Sequence, residues 1–136
     1  AIRVDQARGD VTDSPAIAWS YDKNTPYVPS ALLYDGLLYF LDNNRGIITC
    51  LDARSGEVRY GPERLPDIRN VYASLVGANG MIYVLDRGGT MQVLRAGPKF
   101  EVVATNVLDD GFDASPAVAG REMFLRGNRF LYCLAE

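Results

Sequence analysis

A serine, a tight turn and an aromatic recur at fixed spacing along this chain. Ser30, Ser74 and Ser115 stand 44 and 41 residues apart. Gly36 and Gly80 each follow their serine by six residues, and Tyr39, Tyr83 and Phe124 each follow by nine. A period of about 40 residues carrying four short extended runs marks propeller blades, not a helical solenoid. No segment sustains a 3.6-residue apolar period, so the expectation is an all-β chain.

One repeat shows how the unit is built. Pro29–Tyr34 is an apolar extended run that stops at Asp35-Gly36, a dipeptide suited to the positive φ of a two-residue hairpin. Leu37–Leu41 is rich in the bulky residues that fit buried strands, and Asp42–Gly46 is a polar turn. Ile47–Leu51 is a third strand, Asp52–Gly56 a third turn, and Glu57–Tyr60 an alternating strand suited to a water-facing edge. The pattern predicts a small antiparallel sheet with covered inner strands and an exposed last one.

Read in these units, the chain is a single section of β-propeller with about three four-stranded antiparallel blades. Residues 1–24, with a short strand around Trp19, are expected to be the outer strand of a preceding or closing blade. Residues 25–65 and 66–108 are whole blades, and 109–136 hold three strands of a last one. Three blades are too few for a closed ring. Two apolar faces would be left bare, so the expected partners are other blades, from a longer chain or from further copies of this one.

Composition removes several chemistries. The chain has no histidine, which excludes Ser-His-Asp and Cys-His catalysis and histidine-ligated metals. Its two cysteines, Cys50 and Cys133, hold equivalent third-strand positions and read as buried small apolar residues, not as a disulfide. A net charge of -3 offers no basic face for nucleic acid. No apolar run approaches the roughly 20 residues that span a bilayer as a helix.

The stretch Leu51-Asp52-Ala53-Arg54-Ser55-Gly56-Glu57-Val58-Arg59-Tyr60 resembles the repeat of the pyrroloquinoline-quinone-like (PQQ-like) propellers, with their L-D-A-x-T-G-x-x-x-W docking motif. Ser55 stands for the usual threonine and Tyr60 for the usual tryptophan, while Trp19 holds the corresponding slot of the preceding blade. Residues 9–41 and 114–136 look like the C-terminal part of bacterial proteins of this superfamily. The resemblance implies that Trp19 and Tyr60 are structural, gluing wedge to wedge. It implies a periplasmic or extracellular location. It also makes PQQ with calcium the cofactor of an alternative reading, a fragment of a quinone-dependent dehydrogenase. The adjacent cysteines common in those enzymes are not present here, so the favoured reading is a non-catalytic binding or assembly scaffold with no cofactor expected.

In a propeller, the turns between second and third strands share one face with the connections from outer strand to next inner strand. That face would carry Asp42–Arg45; Asp67, Arg69, Asn70 and Tyr72; Asp86 and Arg87; and Asp109, Asp110 and Asp113. Arg69, Tyr72 and Arg87 are candidates for binding an anionic or sugar ligand near the central channel. Asp109, Asp110 and Asp113 are candidates for a calcium site, since hard cations take carboxylate oxygens. A protein or glycan ligand fits such a face, and a carbohydrate-binding module is a second alternative.

Overall fold

The computed structural model describes residues 1–135. Among these, eleven strands form three antiparallel sheets, and there is no helix. The first sheet orders β1 (Leu32–Tyr34), β2 (Leu37–Leu41), β3 (Ile47–Asp52) and β4 (Val58–Arg64) side by side. The second repeats it with β5 (Val76–Ala78), β6 (Met81–Leu85), β7 (Thr90–Arg95) and β8 (Val102–Val107). The third has β9 (Ala117–Ala119), β10 (Glu122–Arg126) and β11 (Leu131–Ala135). Each sheet is a meander, as expected of propeller blades.

The turns follow their residues. Asp35 and Gly36 both take positive φ, at 48° and 75°, and so do Asn79 and Gly80, at 49° and 71°. These are the backbone states that a two-residue hairpin matching strand twist requires. The third turn is organised by Asp52. Its Oδ1 accepts from the Arg54 and Ser55 amides at 3.0 and 2.9 Å and from the Ser55 hydroxyl at 3.1 Å. The Ala53 amide then donates to Gly36 O at 3.0 Å, folding the third turn against the first. Ala96 and Gly80 make the same bond in the second blade, at 2.9 Å.

The blades dock through aromatics and through the serines. The Ser30 amide donates to Ser74 Oγ at 3.0 Å, and the Ser74 amide donates to Ser115 Oγ at 2.9 Å, one rung between each pair of inner strands. Trp19 donates from Nε1 to Ala53 O at 3.1 Å and lies on Gly56, where a Cβ would stand 2.6 Å from the indole. Tyr60 is buried on β4 opposite Cys50 and packs on Tyr39 and on Phe100 of the next blade, with centroids 6.4 and 5.8 Å away. Tyr34 covers Gly77 and accepts from the Gly80 amide at 2.9 Å. The main core therefore lies between the first two sheets: Tyr39, Leu41, Ile48, Leu65, Ile68, Ile82, Val84 and Leu94 are sealed within it. A smaller core around Leu85, Met91, Phe112 and Leu125 joins the second sheet to the third.

Three expectations change. Residues 1–24 form no regular strand: Ile17 pairs with Ile2 in an isolated bridge. Cys133 is exposed, not buried, since β11 has neither an outer strand nor a further blade across it among the described residues. The two terminal faces also differ. Trp19, Ala16 and Tyr21, with its ring 5.6 Å from Phe40, cover much of the first, whereas Phe130, Leu131 and Leu134 stand exposed around β11.

Candidate functional site

The loop face is held together by backbone hydrogen bonds that pass from blade to blade. Val71 N donates to Asn44 O at 3.0 Å and Arg87 N to Asn70 O at 2.8 Å. Phe112 N donates to Arg87 O at 3.2 Å and Asn128 N to Gly111 O at 2.9 Å. Each second turn is thus threaded between the connections that precede and follow it. Close approach is built into the glycines: a Cβ on Gly89 would meet Leu108 O at 2.0 Å. Asp86 is buried beneath this row, accepting from the Gly88 and Thr90 amides at 2.9 Å each and from the Arg69 amide at 3.4 Å.

The three ligand candidates separate into a pair and a single residue. Arg87 lies over the Tyr72 ring, 4.4 Å from its centroid, and its Nε reaches Asp113 Oδ1 at 2.5 Å. Asp113 and the Tyr72 face therefore already occupy this guanidinium, a cation–π and ion-pair arrangement that ties the second blade to the third. Arg69 belongs elsewhere. It lines a cavity of about 340 Å³ with Arg45, Arg64, Leu65, Pro66, Asp67 and Ile68.

The acidic trio is divided among structural partners. Asp109 meets Arg129 at 3.2 Å. Asp110 has a buried side chain that accepts from the amides of Gly111, Arg129 and Phe130 and from the Tyr132 hydroxyl at 3.1 Å. Burial alone would raise its pKa; these donors outweigh it and hold the carboxyl below the ordinary value. Among the described residues no three acidic or thiol side chains converge as the ligands of a metal would.

Cys50 and Tyr39 are ionisable groups sealed in the core. Burial pushes the Cys50 thiol up to about 11, against hydrogen bonding from Tyr39 and the Arg59 charge. Burial likewise pushes the Tyr39 hydroxyl up to about 12. A thiol protonated at neutral pH is a poor nucleophile, so both groups serve packing and interblade bonding. The Tyr39 hydroxyl accepts from the Gly97 amide at 2.9 Å.

Sequence reading passed over the contributions of Arg64 and Gln92. Arg64 closes β4 and donates through Nη1 to Arg45 O, and the fully buried Gln92 donates through Nε2 to Pro66 O. The alternation of Glu63 and Arg64 at an edge strand signals only exposure. A lone glutamine in the apolar run of β7 was the available hint, because a buried amide requires partners.

No family model matches this chain, and no curated protein matches it. Solved structures do. BamB from Moraxella catarrhalis, a β-propeller, superposes with a TM-score of 0.70 at 20% identity over 90% of this chain and 37% of its own. The computationally designed Ika4 protein gives a TM-score of 0.54 at 9% identity, over 77% of this chain and 63% of its own. This chain spans about a third of the length of BamB. Likeness at these identities carries the architecture alone: three antiparallel blades of a β-propeller.

Proposed function

We propose that this chain is the C-terminal section of a PQQ-like propeller in a periplasmic or extracellular protein, where it acts as a non-catalytic binding or assembly scaffold. The observation that carries the reading is the use made of its reactive groups. Arg87 and Asp113 tie the second blade to the third, Asp109 and Asp110 hold the loops of the third blade together, and burial keeps Cys50 and Tyr39 protonated. What remains open to a partner is surface: the loop face, and the edge of β11, unpaired among the described residues, with Leu131 at 71% exposure. Apolar side chains beside an unpaired strand edge are a surface on which chains assemble.

The competing activity is oxidation of an alcohol or sugar with bound PQQ and calcium. Equilibrium binding of the quinone with calcium, followed by a dye-linked oxidation assay, separates the two. The scaffold reading expects no saturable binding and no turnover; both together would establish the dehydrogenase. Retention on insoluble glycans, with none on an agarose control, would instead establish the carbohydrate-binding module.

A further inference from the structure

We propose that the cavity between the Asp42–Gly46 turn and the Arg64–Arg69 segment binds a small organic anion carrying more than one oxyanion group. Three arginines, Arg45, Arg64 and Arg69, are among the seven residues that line this one space in a chain whose net charge is -3. Like charges brought together on a wall raise each other's energy, and the compensation supplied from within the protein is incomplete. Arg45 has Asp42 at 3.8 Å, and Arg64 has the Arg45 carbonyl, which is neutral. Among the described residues the Arg69 side chain has neither a hydrogen-bond nor an ion-pair partner. Asp67 is the one carboxylate on the wall.

The wall is also fixed before any ligand arrives. Leu65 and Ile68 are buried beneath it, and the Leu65 amide donates to Gly46 O at 2.9 Å. A Cβ on Gly46 would stand 2.5 Å from Ile68 Cγ2, so the turn and the segment are in tight contact. Gln92 clamps the Pro66 carbonyl from inside the second blade. A preorganised site loses less entropy on binding. Guanidinium groups present paired donors matched to carboxylate or phosphate oxygens, and several of them select for more than one oxyanion. The volume, about 340 Å³, is near the lower end of small-molecule sites and exceeds what one inorganic anion fills.

This deepens the reading of the loop face as a binding surface and rests on it; assembly through β11 is tested separately by solution mass, so either can fail alone. The test is calorimetric titration of the whole chain with citrate and, in a second arm, with inorganic phosphate. Saturable citrate binding is expected, weakened about tenfold or more by Arg69→Ala, partly restored by Arg69→Lys, and unaffected by Arg95→Ala, a charge-matched control. Arg95 pairs with Glu101 at 3.0 Å and is not part of the cavity wall. Arg69 is exposed, so its replacement leaves the core intact. Phosphate binding as tight as citrate would overturn the requirement for several oxyanion groups. Absence of saturable binding, or equal losses in Arg69→Ala and Arg95→Ala, would overturn the site.

Discussion

Asp52 does the work of several residues in its turn. One oxygen gathers the Arg54 and Ser55 amides, and the other takes the Arg59 guanidinium at 2.8 Å. Arg59 first, then the Ser55 amide and hydroxyl, hold this carboxyl well below the usual carboxylate range. A depressed folded pKa stabilises the fold in full above about pH 4, the ordinary aspartate value, and that contribution is lost as pH falls through the folded one. Asp52→Asn is therefore expected to melt at a lower temperature than the parent at pH 7, with the gap closing as the pH drops below about 4. Thermal melts across pH check this; a gap independent of pH would remove the charge from the explanation. The gap also narrows in salt, because the pair is solvent-accessible. The importance of this turn was legible, since Asp, Ser and Gly at those spacings have few other uses. Arg87 was legible as a loop-face cation near Tyr72 and Asp113; that these two engage it was not, since they lie 15 and 26 residues away and nothing local announces the pairing.

Strands and their docking divide in the same way. Alternation and turn residues marked the four strands of the first blade in their places, with Leu37–Leu41 matched at both ends, because hairpin chemistry is local. The strand expected around Trp19 does not form among the described residues; a strand is a relation between two segments. The indole nevertheless reaches the Ala53–Gly56 turn, as Tyr60 reaches Phe100 of the following blade. Trp19→Ala removes a half-buried ring and one hydrogen bond, and is expected to cost about 2–3 kcal/mol by denaturant unfolding. A loss below about 0.5 kcal/mol would mean that the segment carrying Trp19 does not dock in solution. The cysteines give a second check on this scale. Cys50 is sealed between sheets with a raised pKa, whereas Cys133 is open on β11. A thiol reagent on the native chain should label Cys133 rapidly and Cys50 only on unfolding. Equal protection of both would show that another chain covers β11.

At the scale of the molecule, periodicity made the architecture readable and left the open surfaces unassigned. Counting strands shows that the last sheet has one fewer; it does not show that Trp19, Ala16 and Tyr21 shield one end while Leu131 and Leu134 stay bare at the other. That asymmetry bears on assembly. Light scattering on a sizing column is expected to show self-association through the bare end, with a clean dimer corresponding to a ring of about six blades. A monomer that neither aggregates nor takes up apolar dyes would argue against β11 as an assembly edge.

The serine rungs and aromatic contacts link each sheet only to its immediate neighbours. Stability in such a stack behaves as a chain of nearest-neighbour couplings. The sheet of β5–β8 is coupled on both sides and each outer sheet on one. Unfolding is then a zipper that opens from its ends: the third blade frays first, and the amides of Ile82, Val84 and Leu94 are the last to exchange with solvent.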